Sequence, residues 1–137
     1  MLIICNNIKI GQTPKEYSLA GIQLGGPRTR ILASRLRYNE TLFSLHLARK
    51  YIQDVDGVYL AELLIDNKTL RKMELEGNLL GPLTVRKFGE VLMENKSLRF
   101  LDLENNQLTQ EGGQDMSGVK DFIKVRFGFI KLFLVSL

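Results

Sequence analysis

His46 is the one histidine in a chain of 137 residues, so any Ser/His or Cys/His relay would have to be built around it. It has no partner at a recognised motif spacing, and a histidine placed outward on a sheet reads better as a surface side chain than as a general base. Glu74 and Asp102 could share acid–base work or hold a metal. An open face, however, supplies little desolvation to drive two carboxyl pKa values apart. Cys5 is the only cysteine, which excludes an internal disulfide and a cysteine-based metal set. It reads as a small apolar side chain in an N-terminal strand. The stretch "GIQLGGP" (21–27) is rich in glycine but lacks the GxxxxGK[ST] phosphate loop, and its glycines fit corners of the chain. Nothing in these residues calls for an enzyme, a cofactor or a metal.

The elements that must position these residues recur. "LASRLRYNETL" (32–42), "LAELLIDNKTL" (60–70) and "FGEVLMENKSL" (88–98) align without gaps at offsets of 28 residues. Asn39, Asn67 and Asn95 coincide, as do Thr41, Thr69 and Ser97, and then Leu42, Leu70 and Leu98. Self-similarity at such a period signals one supersecondary unit repeated and stacked. Each unit opens on an apolar ladder: Leu42-x-x-Leu45-x-Leu47, Leu70-x-x-Met73-x-Leu75, Leu98-x-x-Leu101-x-Leu103. Alternation over the last two rungs predicts a very short strand with one face inward. Asn78 and Asn106 stand where the chain leaves the strand, and a buried Asn can satisfy backbone groups orphaned at a corner. Lys50 takes the same place in the unit that begins at Leu42. The second half of each unit is helical, with Leu60, Leu63 and Leu64, or Phe88, Val91 and Leu92, on one face. Arg35 breaks that face in the preceding helix.

This pattern, LxxLxLxxNxL followed by a helix ending LAxxLxxNxTL, resembles the leucine-rich repeat, specifically its 28-residue ribonuclease-inhibitor-like class. Ran GTPase-activating protein, the sensor domains of nucleotide-binding immune receptors and the C-terminal domain of tropomodulin look similar. The resemblance covers roughly residues 19–119. It implies an α/β fold, a right-handed solenoid with short parallel strands on the concave face and helices on the convex face. The expected organisation is a cap segment over 1–18, units starting near 19, 42, 70 and 98, and a degenerate final unit or apolar cap over 120–137. The first of these units would carry its strand in Leu19-x-x-Ile22-x-Leu24. The apolar C-terminus, with Phe127, Phe129, Ile130, Phe133 and Leu134 among others, would be a cap, a self-association surface or the sign of a longer array.

Bulk properties narrow the partner. Residues 1–50 hold eight Lys/Arg against two Glu, residues 51–111 hold seven basic against eleven acidic side chains, and residues 112–137 hold four against two. The net charge of +4 therefore describes no single surface, and it is a poor reason to expect nucleic acid. Arg28, Arg30, Arg35 and Arg37 gather on the first helix without the interleaved aromatics that single-stranded nucleic acid favours, and read as a solvated face. No apolar run reaches the roughly 20 residues of a membrane span. A cytoplasmic, soluble protein is the expectation.

Side chains that leave the core on the strand side form rows: Gly21, Gln23, Gly25; Ser44, His46, Ala48; Lys72, Glu74, Glu76; Phe100, Asp102, Glu104. The last two rows gather Glu74, Glu76, Asp102 and Glu104 beside Phe100, a face suited to a basic protein partner. Lys72, Glu74, Glu76, Phe100, Asp102, Glu104 and His46 are thus the candidate binding residues. Rows of this size offer only about 200 Å², whereas a standard interface buries about 800 Å² per partner. Loops or further surface must contribute. The resulting expectation is a non-enzymatic protein-interaction module or scaffold. The alternatives are an accessory regulator of a small GTPase or other enzyme, and a structural component of a cytoskeletal or ciliary assembly.

Overall fold

The computed structural model describes residues 16–19 and 22–109. Within them the chain runs β1 (Glu16–Ser18), α1 (Pro27–Leu36), β2 (Ser44–His46), α2 (Asp54–Glu62) with a following 3₁₀ turn (Leu63–Ile65), β3 (Lys72–Glu74), α3 (Pro82–Glu94) and β4 (Phe100–Asp102). The strands form one parallel sheet in the order β1-β2-β3-β4. Ser44 lies opposite Lys72, and Lys72 opposite Phe100, so each unit sits in register on the next. Parallel neighbours require a crossover connection, and here each crossover is a helix. Helix α1 packs on α2, and α2 on α3.

The alternation in each ladder decides which way its side chains point. Leu45, Leu47, Met73, Leu75, Leu101 and Leu103 are buried between sheet and helices. Leu32 and Leu36, Leu60 and Leu64, and Phe88 and Leu92 meet them from the helix side. Arg35 turns out to solvent at the edge of its helix, leaving Leu32, Ala33 and Leu36 to face the core. The helices approach closely where Gly57 sits: a Cβ there would stand 2.2 Å from Thr84 Oγ1 and 2.6 Å from Leu80 Cδ2.

Two asparagine seams close the turns. Where helix passes to strand, Asn67 Oδ1 accepts from the Thr69 and Leu70 amides, while its Nδ2 donates to the carbonyls of Leu36 and Asn39 one unit back. Asn95 repeats this with Ser97, Leu98, Leu64 and Asn67. Where strand passes to helix, Asn78 Nδ2 donates to the carbonyls of Leu47 and Leu75, and its Oδ1 accepts from the Lys50 and Ile52 amides. Asn106 donates to Leu75 and Leu103 and accepts from Leu80. Each of these side-chain amides, buried in Asn67, Asn78 and Asn95 and half-buried in Asn106, thus meets backbone groups that the corner would otherwise strand.

Helix starts are held in the same inter-unit fashion. No helix N-cap residue caps with its own side chain. Instead Asp54, at the start of α2, accepts the amides of Gly81, Leu83 and Thr84 at the start of α3. Asp56, two residues on, accepts the Gly26 amide at the start of α1 at 2.9 Å. Carboxylates belong at these amide-rich ends.

One expectation needs correction. The first strand is Glu16–Ser18, with Ser18 opposite His46, and not the segment from Leu19 to Leu24. It falls inside the stretch expected to be a cap. Leu19 follows β1 as Leu47 follows β2, and Leu24 is buried in the turn that leads to α1, where its carbonyl accepts the Thr29 amide. The row through Gln23 and Gly25 is therefore a strand-exit loop; Gly21, like Cys5 and the apolar segment 120–137, lies outside the described residues.

Candidate functional site

Strand residues that alternate with the core ladders form a row of polar contacts across the sheet. Glu74, on β3, stands at its centre. Its Oε1 accepts from Lys72 Nζ at 2.6 Å, and its Oε2 is bonded to His46 Nδ1 on β2. The other ring nitrogen, Nε2, lies 3.1 Å from Ser44 Oγ. Partial burial pushes the Glu74 carboxyl up, but the hydrogen bonds from Lys72 and His46 outweigh it and hold its pKa below the usual carboxylate range. Lys72 Nζ also sits 5.1 Å from the centre of the Phe100 ring, a cation–π contact to β4. Just beyond the strands, Glu76 Oε1 accepts from Arg49 Nη2 at 3.1 Å. Asp102 Oδ1 accepts the Glu104 amide at 2.9 Å.

The four acids are therefore not equivalent. Glu74 and Glu76 are matched by cations, whereas Asp102 and Glu104 have no ion pair among the described residues. His46 has partners on both sides, Ser44 and Glu74, neither of them at a recognised motif spacing. Ser44, expected to point outward, is only 5% exposed. The bond order Ser44–His46–Glu74 is that of an acyl-transfer relay, but a nucleophile must be reachable by its substrate, and this hydroxyl is sealed in the sheet. Lys72 moreover occupies the second oxygen of Glu74. The arrangement works as a polar zipper across β2 and β3. Among the described residues no group of three or more His, Cys, Asp or Glu could hold a metal ion.

A second surface escaped the sequence reading. The strand-exit loops stack: the Leu24 amide donates to the Lys50 carbonyl, Leu79 to Ile52, and Gln107 to Leu80. One corner position is left-handed in each described turn, at Arg49 (φ 57°), Gly77 (φ 67°) and Asn105 (φ 55°). Two residues after Arg49, Tyr51 is left-handed as well, at φ 58°. Along this edge Tyr51, Val55, Leu79 and Leu83 are exposed, at 60%, 53%, 40% and 48%. The signal was available in the repeat: the period that aligns the strands also sets Tyr51 against Leu79 and Val55 against Leu83. The first-helix arginines are partly engaged, Arg30 with Asp56 at 3.4 Å and Arg37 with Asp66 at 2.5 Å. No helix among the described residues is long and apolar enough to cross a membrane.

No protein-family model matches the chain, and no curated protein matches it in sequence. Solved structures do match. The tropomodulin C-terminal domain of Caenorhabditis elegans superposes with a TM-score of 0.79 at 18% identity, over 99% of this chain and 84% of that one. Leiomodin-1 actin-binding site 2 gives 0.74 at 16% identity, over 96% and 78%. At these identities the likeness is one of fold: the chain has the leucine-rich-repeat-like, mixed helix and strand architecture of those domains, with its small parallel sheet.

Proposed function

We propose that the chain is a protein-binding module of the cytoskeleton, and that actin is the first partner to test. The observation that carries this reading is the superposition on a domain described as the actin-binding site of leiomodin-1, over nearly the whole chain. The in-register parallel strands support a right-handed solenoid of the ribonuclease-inhibitor-like class, turning once in 28 residues. The sheet face is the proposed contact, through Lys72, Glu74, Glu76, Phe100, Asp102 and Glu104, with His46 at its margin. Pairing concentrates its negative charge at Asp102 and Glu104, so the basic patch of the partner is expected against β4, with Phe100 as the aromatic anchor. Repeat solenoids bind through such extended faces.

Co-sedimentation with actin filaments and native gel shift with monomeric actin test the partner. Asp102→Lys with Glu104→Lys tests the face. Binding that falls at least about tenfold in the double variant supports the reading, by analogy with other charged interface anchors. Actin binding unchanged by that double variant would move the contact elsewhere, and no binding to either form of actin would remove the partner.

A further inference from the structure

Tyr51 combines two features that a folding argument alone does not explain. It is a large aromatic residue in the left-handed region, at φ 58°, where side chains beyond glycine are disfavoured. It is also 60% exposed, so its ring is not held there by the core. The corresponding residues of the next turns, Leu79 and Gln107, have no such backbone. A glycine would relax the turn; the chain keeps an aromatic ring on its surface.

The ring does not stand alone. Leu79 lies beside it through the bond from its amide to the Ile52 carbonyl at 2.9 Å. Val55 and Leu83 are joined through Asp54, whose Oδ2 accepts the Leu83 amide at 3.1 Å. On one side the row ends at exposed Gln23 and on the other at exposed Gln107. An apolar centre with a polar margin is the build of a protein interface. Its outward charge is basic, because in both ion pairs along it the arginine is the more exposed partner, Arg30 at 50% against 4% for Asp56 and Arg49 at 78% against 29% for Glu76. The local acids Asp54 and Asp56 are turned inward to hold helix starts. Outward stand Arg28, whose Nη1 donates to the Gln23 carbonyl at 3.1 Å, and Arg49, which Glu76 holds through one Nη while the rest of its guanidinium faces solvent. Among the described residues no carboxylate pairs with Arg28. Arg30 extends the margin, its guanidinium 4.9 Å from the centre of the Tyr59 ring.

We infer that this strand-exit ridge, Tyr51, Val55, Leu79 and Leu83 bordered by Arg28 and Arg49, is a second docking surface that takes an acidic amphipathic segment of a protein partner. The apolar side of the segment covers the ridge, with Tyr51 as anchor, and its carboxylates meet the arginines. The ridge lies on the loop edge beside the sheet face, which it meets at the Arg49–Glu76 pair. It adds the contact area that the sheet rows lack, and it can fail without removing the proposed role of that face.

A library of displayed peptides about 16 residues long, long enough for four helical turns, is selected on the whole chain. The expected winners alternate apolar and acidic residues at helical spacing. Tyr51→Gly suits the local backbone and so keeps the fold. It should nevertheless weaken the winning peptide at least about tenfold, as loss of an aromatic hot spot does. Leu83→Ser should do the same, and Arg28→Glu should weaken binding and flatten its salt dependence. Circular dichroism and urea midpoints confirm that each variant is folded. The inference is overturned by a selection without acidic winners, by no winners at all, or by binding indifferent to Tyr51 and Leu83. Sedimentation that shows a dimer broken by Leu83→Ser would overturn it too, giving the ridge to a second copy. Actin co-sedimentation with the Asp102/Glu104 double variant reads the sheet face separately.

Discussion

The two ends of each strand are built to opposite standards. At the strand entry, Asn67 and Asn95 are 2% and 4% exposed, each joining backbone of two units through a carbonyl that accepts and an amide that donates. No residue there has a positive φ. At the strand exit the same device appears in Asn78 and Asn106, but the turns at Arg49, Gly77 and Asn105 each carry a left-handed residue, and the first two of them expose apolar side chains. The entry seam is uniform because its task is uniform: to return the chain from helix to strand at the same height each time. The exit edge varies from turn to turn, with Arg49, Gly77 and Asn105 at one position and Tyr51, Leu79 and Gln107 at another. Variation on a constant frame is where recognition can be stored.

The comparison can be broken in several ways. The largest expected effect lies beneath both seams: Leu75→Ala or Leu103→Ala should cost about 2–5 kcal/mol in urea unfolding, since both are fully buried. Asn67→Ala should cost about 2–3 kcal/mol, because it strands buried backbone groups of two units. Asn106→Ala, at a half-exposed corner where water can substitute, should cost about 1 kcal/mol. Equal losses at the two asparagines would erase the distinction drawn between the seams. Gly77→Ala should lose about 1–2 kcal/mol, because its Cβ enters the left-handed region and would stand 2.9 Å from Arg49 Cγ. Tyr51→Gly, at a similar φ, should be neutral or gain up to about 1 kcal/mol. A clear loss of stability in Tyr51→Gly would mean that the ring supports the fold after all.

The smallest effect concerns pH. Glu74 has its folded-state pKa lowered, so its contribution to stability is present above the unfolded-state value and lost as pH falls through the folded-state value. Urea midpoints should therefore drop as pH is taken down from the ordinary carboxylate value of 4.5, and less steeply in Glu74→Gln. Identical acid profiles for the two proteins would show that the zipper across β2 and β3 carries no linkage.

The alternation of short strands with helices was legible because three ladders repeat at one spacing with their asparagines aligned. The first strand was not, for a definite reason. Strand exits read Leu47-x-x-Lys50-x-Ile52 and Leu75-x-x-Asn78-x-Leu80, the same three-then-two spacing as the ladder that enters the strand. Only the polar corner residue distinguishes them, and Ile22 replaces it in the first unit, so Leu19-x-x-Ile22-x-Leu24 imitates an entry. The pairing of the sheet face was also hidden. Lys72 with Glu74 can be guessed from two residues on one strand, but Arg49 with Glu76 joins partners 27 positions apart through a corner backbone that sequence does not display. Four acids in a list became two neutralised and two left over. The exit ridge was hidden because period-two alternation marks the outward side chains of a strand, whereas a loop has no such period.

Helix α2 lends one carboxylate forward and one backward, Asp54 to α3 and Asp56 to α1. Melting it would strip the amide ends of both flanking helices at the same moment, so the described turns should open as a single event instead of peeling away one by one. Hydrogen exchange would display this as amides of all three helices sharing one opening free energy, with Asp54→Ala splitting the profile at α3.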